Sequence, residues 1–329
     1  MAINLLNLTP HKVSRDLSGY ITFVYGRPKT GKTTLATQMP NSLLLAFERG
    51  YNALPGVMAQ DITSWTEMKQ VYKELKKSEV QEVYKALVVD TIDIAADMCQ
   101  KYICNQLGIE NIGDGGWSTN GWSKYKKEFE EMFRSLTQMG YAVFFISHAK
   151  EKTIKLQDGT EYTQVGPALQ TSALAIVENM ADIYGYAHSV RTETGSKVML
   201  TLRHPDDSII CGGRFKHIAN EIEFNYDSLV KALNDAIDKE AAATNNQFVT
   251  NERENVPILV EYDYDALMAE FQAIVGDLMQ KDPGFYGPRV TQAIEKYLGK
   301  GKKVAETSRD QAEFIHLIVE EIKDEIVNA

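Results

Sequence analysis

The chain has 329 residues, of which 44% are hydrophobic and 24% charged, and its formal net charge is −10. This length suits one large domain plus a smaller one. The acidic balance argues against bulk electrostatic attraction to nucleic acid, so any such contact would need local basic patches.

The sequence also disfavours a membrane protein and a protein stabilised by disulfide bonds. We find no apolar run long enough to cross a bilayer, and we expect no signal peptide because the N-terminus lacks a basic region followed by a long apolar one. The three cysteines, Cys99, Cys104 and Cys211, have neither zinc-ligand spacing nor the even count of a disulfide framework. They are typical of a reducing compartment, so we expect a cytoplasmic protein with no membrane partner.

A phosphate-binding loop is the strongest motif of the chain. Residues 1–19 predict an irregular lead-in, and the apolar run 20–25 predicts a strand. The pattern Gly-x-x-x-x-Gly-Lys-Thr follows, and a helix begins after it, which is the context that distinguishes this motif from a chance glycine-rich turn. Lys32 can reach the β- and γ-phosphates of ATP, and the Thr33 hydroxyl can ligate Mg²⁺. The predicted cofactor-binding residues are Gly26, Arg27, Pro28, Lys29, Thr30, Gly31, Lys32, Thr33 and Thr34.

A second buried strand, 42–47, leads into Glu48. ATP hydrolysis needs a carboxylate near the γ-phosphate to orient and polarise a water molecule. We expect Glu48 to take this role, on the strand next to the phosphate-loop strand. The alternative is a surface glutamate that pairs with Arg49.

The third strand ends in an acid. Residues 64–85 predict an amphipathic helical layer, and the apolar run 86–91 predicts a strand that carries Asp90. A carboxylate at this place can hold Mg²⁺ through water or beside Thr33. Thr91 is either a group behind the site or a helix cap.

The region from 108 to 123 predicts a glycine-rich loop between two helices, 92–107 and 124–139. Aromatic side chains next to lysines suit base stacking together with phosphate contact, as in proteins that bind single strands. The alternative is that the tryptophans dock onto the core and the lysines only solvate a face. The candidate nucleic-acid residues here are Trp117, Trp122, Lys124, Lys126 and Lys127.

A fourth strand, 141–146, ends in Ser147 and His148. We expect His148 to touch the γ-phosphate and report the nucleotide state to the segment that follows; a buried or turn histidine without such a role is the alternative. That segment alternates polar and apolar residues around Asp158-Gly159, which predicts a hairpin. Its candidate nucleic-acid residues are Lys150, Lys152 and Lys155.

After the hairpin, a helix is predicted at 168–180, strands at 183–188 and 197–203, and a helix at 226–239. Two basic residues lie between the last strand and the last helix. Arg214 and Lys216 are two residues apart, so on an extended segment they would face the same side. There they could reach a γ-phosphate in a neighbouring subunit, as arginine fingers do, or they could form a solvated basic face.

Strands that alternate with helices predict an α/β fold with a mainly parallel sheet flanked by helices. We expect a nucleotide-binding core at 1–240, a linker at 241–257 because that segment is polar and lacks periodicity, and a small helical C-terminal domain at 258–329. Three helices are predicted in that domain, at 263–281, 289–299 and 307–327.

Together these motifs resemble the RecA-like core ATPases, and more narrowly the phage-encoded ATP-dependent single-strand annealing and recombination proteins. The resemblance covers roughly residues 8–238. It rests on Thr9-Pro10-His11-Lys12, the phosphate loop, Phe47-Glu48-Arg49-Gly50, Val89-Asp90-Thr91, Ile146-Ser147-His148-Ala149-Lys150 and Gly212-Gly213-Arg214-Phe215-Lys216.

The resemblance implies a RecA-like twisted sheet, a catalytic Glu48, and a His148 that stands where relatives often carry glutamine. It implies two DNA-facing loops at 108–123 and 149–166, and action of Arg214 and Lys216 across a subunit interface. ATP, Mg²⁺, single-stranded DNA and further copies of the chain are the implied ligands. The C-terminal domain lies outside the resemblance and could recruit a replication or recombination partner, modulate DNA access or support assembly. A replicative helicase or helicase loader, and a nucleotide-dependent interaction switch, are the alternative functions.

Overall fold

The computed structural model describes residues 10–193, 195–242, 247–253 and 262–323. The chain forms two compact units, Met1–Ile258 and Leu259–Ala329. The first unit holds a sheet with helices, and the second is helical.

The strands in the described residues are β1 (Val13–Ser14), β2 (Thr22–Gly26), β3 (Ser42–Ala46), β4 (Ala59–Asp61), β5 (Ala86–Asp90), β6 (Ala142–Lys155), β7 (Glu161–Pro167), β8 (Ile183–Thr192), β9 (Gly195–Thr201), β10 (Gly212–Gly213), β11 (Glu221–Glu223) and β12 (Val249–Thr250). The α-helices in the same residues are α1 (Lys32–Ala36), α2 (Trp65–Leu75), α3 (Ser78–Val83), α4 (Ile92–Leu107), α5 (Gly116–Thr119), α6 (Gly121–Gln138), α7 (Thr171–Met180), α8 (Tyr226–Ala241), α9 (Tyr264–Lys281), α10 (Pro283–Leu298) and α11 (Ala312–Glu321).

The main sheet has the order β11-β9-β8-β2-β6-β5-β3-β4, with β10 paired to β8 and β7 paired to β6. The six strands from β8 to β4 are parallel to one another, and the remaining strands of the sheet pair antiparallel. The predicted mainly parallel sheet flanked by helices, with a helical C-terminal part, is therefore confirmed.

Alternating side chains of the central strands build two cores. On β2, Phe23 and Tyr25 join the core covered by α2, α4, α6 and α7, whereas Val24 joins the core covered by α1 and α8. All five residues of β2 and all five of β5 are buried, because both faces of the sheet carry helices. This is why these strands are continuous apolar runs in the sequence.

Several local predictions need correction. The layer predicted across 64–85 is two helices, α2 and α3, and the short edge strand β4 before them carries no apolar run by which the sequence could reveal it. The predicted loop 108–123 contains the helical turn α5, and α6 begins at Gly121, so Trp122 lies on a helix.

The lead-in and the predicted linker meet in space. Val13 of β1 pairs with Val249 of β12 in a parallel two-stranded sheet, and a 3₁₀ turn covers Leu17–Gly19. The residues before 10, the segment 243–246 and the segment 254–261 lie outside the described part of the chain. Within the described part, 241–257 is therefore not only a linker, since its middle is paired to the core.

The C-terminal unit consists of α9, α10 and α11, with 3₁₀ turns at Val304–Glu306 and Arg309–Gln311. Three helices are present as predicted, but α10 starts earlier than expected, with Pro283 in its first turn, and α11 begins only at Ala312. Residues 324–327 of the third predicted helix lie outside the described part of the chain. The buried side chains of this small core are Leu278, Val290, Ala293, Val304, Ile315, Ile318, Val319 and Ile322.

Candidate functional site

Two glycines shape the predicted phosphate loop. Gly26 ends β2, and a Cβ atom there would collide with the backbone carbonyl oxygen of Ala187 on β8, so no side chain fits. Gly31 has φ +87°, in the left-handed region that favours glycine, and it is the N-cap of α1. The loop therefore turns sharply from the carboxyl end of a parallel strand into a helix start, where free N–H groups attract anions.

Lys32 is folded back onto this loop. Its Nζ atom donates to the carbonyl oxygens of Gly26 at 3.0 Å and Arg27 at 2.9 Å, and the residue is buried. Burial lowers the pKa of Lys32, and the nearby carboxylates of Asp90 and Glu48 oppose that shift. The ammonium group is thus held beside the loop and needs only a rotation of its side chain to meet an anion.

Thr33 and Asp90 are in direct contact, as the metal prediction requires. The Thr33 hydroxyl donates to Oδ2 of Asp90 at 2.7 Å, and Asp90 is 1% exposed at the end of β5. Burial raises the pKa of Asp90 to about 6; the bond from Thr33 opposes the shift, and the charge of Glu48 adds to it. A hydroxyl and a carboxylate are oxygen ligands of the kind that Mg²⁺ takes together with phosphate oxygens.

Glu48 reaches the site by a different route from the predicted one. Its strand β3 is not next to β2, because β6 and β5 lie between them. The backbone N–H groups of Phe47 and Glu48 instead donate to the Asp90 carbonyl, at 2.8 and 3.2 Å. The side chains of Glu48, Asp90 and Thr33 all lie within 3.8 Å of a Cβ atom built on Gly50, so they surround one small space.

His148 lies between two carboxylates. Its Nδ1 atom is 2.7 Å from Oδ2 of Asp93, and its Nε2 atom is 3.8 Å from Oε2 of Glu48. Sequence reasoning missed Asp93, which lies in the first turn of α4 three residues after Asp90, where an acid is usually attributed to the helix dipole. Thr91 does not cap this helix through its side chain, and its hydroxyl is buried without a hydrogen-bond partner in the described residues.

A cavity of about 400 Å³ adjoins the helix that follows the phosphate loop. Thr34 stands at its edge, and the chain after Glu48 supplies an apolar wall of Leu54, Pro55, Val57 and Met58. Gln38 and Asn41 add amide groups to its lining. No motif predicts this cavity, because its walls come from two separate segments without sequence signatures.

Arg214 and Lys216 lie far from the phosphate loop of their own chain. β10 pairs Gly213 with Ile183, which is in register with Thr22 at the start of β2, whereas the loop follows the end of that strand, roughly 13 Å away. Arg214 pairs with Asp182 at 3.0 Å. The extended segment on which the two cations would face the same side is absent, because β10 ends at Gly213 and Lys216 lies in a turn.

The predicted nucleic-acid residues lie at two places. Trp117 on α5 is 99% exposed, so it does not dock onto the core, and Trp122 is 48% exposed with its ring edge-on to Tyr125. Lys124 and Lys126 on α6 are exposed, and Lys127 lies 3.6 Å from Glu131.

The hairpin predicted after His148 is confirmed as β6 and β7. Lys150 and Lys152 are two apart on β6 and share one face with Tyr162 and Gln164 of β7, because residues directly opposite in an antiparallel pair face the same side. Lys155 is on the other face and pairs with Glu161 at 2.7 Å. Only two of the three predicted lysines therefore share a surface.

The described residues contain no group of three or more His, Cys, Asp or Glu side chains arranged to hold a metal ion. None of the helices described is both long and apolar enough to span a bilayer.

Comparison with known proteins places these features in a family. The family model described as AAA domain matches residues 18–209, which include the phosphate loop, Glu48, Asp90 and His148. The SPbeta prophage-derived uncharacterized protein YorG of Bacillus subtilis (strain 168) is 31% identical over 331 residues, covering 98% of this chain and 99% of that protein.

Two solved structures show a distant likeness. The KaiC-like protein PH0186 of Pyrococcus horikoshii OT3 is 15% identical with a TM-score of 0.34, covering 59% of this chain and 88% of its own. The flagellar accessory protein FlaH of Methanocaldococcus jannaschii is 9% identical with a TM-score of 0.33, covering 63% and 85%.

Proposed function

The chain belongs to the AAA domain family, and from that premise we propose that it is a Mg²⁺-dependent ATPase that binds single-stranded DNA and acts in recombination or annealing. The observation that carries the ATPase part is the 2.7 Å contact between Thr33 and Asp90 beside the phosphate loop, with Glu48 close to both. The prophage origin in the name of the 31% identical relative is consistent with a phage type of protein.

The phosphate loop supplies binding. Its N–H groups and Lys32 are suited to the β- and γ-phosphates, since a lysine beside such a loop is a mobile point charge. Thr33 and Asp90 would hold Mg²⁺, which would neutralise charge on the phosphate oxygens. The cavity beside Thr34 is large enough for the nucleoside, with the base against Leu54, Pro55 and Val57.

Glu48 supplies the base for hydrolysis. A glutamate at this place accepts the proton of the attacking water and orients it. His148 is near enough to Glu48 to contact it directly or through one water, and Asp93 fixes the ring by its contact with Nδ1. His148 and Asp93 are thus positioning residues for the Glu48 carboxylate.

Binding of single-stranded DNA is supported by the exposed surface. Trp117 offers an unobstructed aromatic ring, and Lys150, Lys152 and Tyr162 share one face of the β6–β7 hairpin. Stacking on aromatic rings together with backbone contact by lysines binds single strands with little sequence preference. Because β6 also carries His148, the same strand connects the nucleotide site with the proposed DNA-binding surface.

Self-assembly is supported by the position of Arg214. The Arg214 side chain is 65% exposed and lies at the opposite end of the strands from the phosphate loop of its own chain, too far to reach it. A cation at this place serves hydrolysis only if it enters the site of a neighbouring subunit, as Lys216 could also do.

The function is tested by fluorescence anisotropy of a labelled oligo-dT with ATP analogue and Mg²⁺. We expect binding that is tighter with the analogue than without it, and an ATPase rate that rises with DNA. Lys32→Ala is the control that should lose the nucleotide effect. Absence of DNA binding at low salt contradicts the DNA part, and unwinding of a forked duplex would favour a helicase instead.

A further inference from the structure

Positive charge is concentrated in one segment of the C-terminal unit. From Arg289 to Lys303 the chain has five basic residues and one acidic residue, a net charge of +4. The other residues of Leu259–Ala329 include three basic and thirteen acidic side chains, a net charge of −10. A charge distribution this uneven within one small unit creates a local field opposite in sign to that of the whole protein.

The fold arranges this segment as a continuous surface. Phe285, Arg289, Gln292 and Lys296 are spaced by four, three and four residues on α10, so they share one face of the helix over about 17 Å. Lys300 follows four residues later in the turn after the helix. We call this set, with Lys302 and Lys303 beyond it, the basic face.

A cleft of about 660 Å³ lies along the basic face. Its lining includes Arg289, Gln292, Lys296 and Lys300, together with two carboxylates, Glu295 and Glu321. The cleft is large enough to seat several phosphate or base groups.

Both carboxylates of the cleft are already engaged. Glu321 accepts from Lys296 at 2.7 Å and from the Tyr297 hydroxyl at 2.6 Å, and Glu295 accepts from the backbone N–H of Gly301 at 2.8 Å. In the part of the chain that the structure describes, Arg289, Lys300, Lys302 and Lys303 form no ion pair with a carboxylate. These four cations are therefore available to bind an external anion.

An aromatic ring lies at one end of the basic face. Phe285 is 49% exposed, and the Arg289 guanidinium carbon is 3.7 Å from its ring centroid. The Arg289 Nη1 atom also donates to the Phe285 carbonyl, which fixes the plane of the guanidinium group. A planar cation stacked on an exposed ring is a surface on which unpaired bases can stack, which an anionic lipid headgroup does not require.

We propose that the basic face binds the backbone of single-stranded nucleic acid, as a second contact separate from Trp117 and the β6–β7 hairpin. The inference deepens the proposed function and rests on it for the identity of the ligand. It gives the C-terminal unit a role as a DNA anchor that is independent of ATP.

The test is a salt series of oligo-dT binding by the full-length protein, without nucleotide and with chelator. The variant is Arg289→Ala/Lys300→Ala, and the matched control is Arg309→Ala/Lys323→Ala, which removes the same charge from the same unit but from residues paired with Asp265 and Glu270. Each lost phosphate contact should weaken binding about 5-fold at about 0.1 M salt and flatten the log–log salt slope by about 0.7. The double variant should therefore bind about 25-fold more weakly with a slope smaller by about 1.4, and the control should bind as wild type.

Folding and charge are checked separately. By circular dichroism, both variants should have the same melting temperature as the wild-type protein. Both should also have the wild-type ATPase rate in the absence of DNA. Should the alanine variant unfold, Arg289→Gln/Lys300→Gln replaces it, and Arg289→Lys/Lys300→Arg should retain the salt slope because it keeps both charges.

The outcomes separate this inference from the proposed function. If the basic-face variant binds as wild type while Trp117→Ala and Lys150→Ala/Lys152→Ala lose binding, the inference fails and the proposed function stands. If wild-type protein binds no oligo-dT under any condition, both fail. Equal losses in variant and control, or binding to phosphatidylserine vesicles in preference to oligo-dT, also overturn the inference.

Discussion

Asp93 holds His148 by two contacts: its Oδ2 atom lies 2.7 Å from Nδ1 of the ring, and its Oδ1 atom accepts from the His148 backbone N–H at 3.3 Å. The Asp93 side chain is only 14% exposed, so water cannot easily replace it. The opposite ring nitrogen, Nε2, is thereby directed toward Glu48.

The first prediction concerns this pair. Asp93→Ala should lower kcat for ATP hydrolysis and leave the KM for ATP nearly unchanged, since Asp93 acts through His148. His148→Ala should give a similar loss, and the double variant should be no slower than either single one, with a coupling energy of about 1–3 kcal/mol. Steady-state kinetics of the four proteins measure it, and fully additive losses would show that the two residues act separately.

The second prediction concerns Glu48. Glu48→Gln should slow hydrolysis by roughly 10²- to 10⁴-fold, because an amide cannot take the proton of the water. The Kd of a fluorescent ATP analogue should not change. Glu74→Gln, an exposed glutamate of α2 that pairs with Lys77, is the control and should hydrolyse ATP normally. Hydrolysis at the wild-type rate by Glu48→Gln would assign the base to another residue.

The third prediction is a pH dependence of the stability of the metal-free protein. Because the folded protein raises the pKa of Asp90 to about 6, it binds this proton more tightly than the unfolded chain does. The free energy of unfolding therefore falls as pH rises from about 4 to about 6, by up to about 3 kcal/mol for a shift of about two units. Above about pH 6, Asp90 is ionised in the folded protein, and the full loss of unfolding free energy is present.

Asp90→Asn removes the titrating group while its amide oxygen can still accept from Thr33. In chelator, its Tm should exceed that of wild type at pH 8, and the difference should shrink toward pH 4. Asp235→Asn, an exposed residue of α8, is the control and should show no such trend. A Tm difference that is the same at every pH would contradict the penalty. With Mg²⁺ and ATP present, Asp90→Asn should hydrolyse ATP poorly.

The fourth prediction tests assembly through Arg214. Arg214→Ala and Lys32→Ala should each be nearly inactive alone. Mixed oligomers should recover part of the ATPase rate, because a Lys32→Ala subunit can lend its Arg214 to the intact phosphate loop of an Arg214→Ala neighbour. Titrating one variant into the other measures this recovery. If mixing restores nothing while both variants melt normally, Arg214 only supports its own chain through Asp182.

The fifth prediction uses Trp117, one of three tryptophans in the chain. Its ring has almost no contact with the core, so Trp117→Ala should melt as wild type but bind oligo-dT about 1–3 kcal/mol more weakly. Quenching of tryptophan fluorescence by oligo-dT should largely disappear in this variant. Trp122→Phe, half-exposed on α6, should keep most of the quenching, and unchanged quenching in Trp117→Ala would exclude stacking there.

Much of the fold follows from local patterns. The strands β2 and β5, the last three residues of β3 and the first six residues of β6 are buried, so the sequence reveals them directly as apolar runs. Asp158-Gly159 likewise reveals the β6–β7 hairpin through its turn chemistry.

The remainder depends on contacts between distant segments. No local pattern shows that β6 and β5 lie between β2 and β3, so the sequence wrongly placed the strand that leads into Glu48 next to the phosphate-loop strand. Val13 meets Val249, and His148 meets Asp93, only because the folded sheet brings them together. The phosphate loop, Asp90 and Glu48 could be proposed from spacing, but Asp93 and the cavity beside Thr34 required coordinates.

The 14-residue strand β6 carries both a residue of the candidate ATPase site and two of the candidate DNA-binding lysines. His148, Lys150 and Lys152 are separated by even numbers of residues, so along an extended strand they stay on the same side. Insertion of one residue between His148 and Lys150 would turn the lysines to the opposite side of the hairpin, whereas insertion of two would restore them. The spacing from the histidine to the lysines is thus constrained in parity rather than only in length.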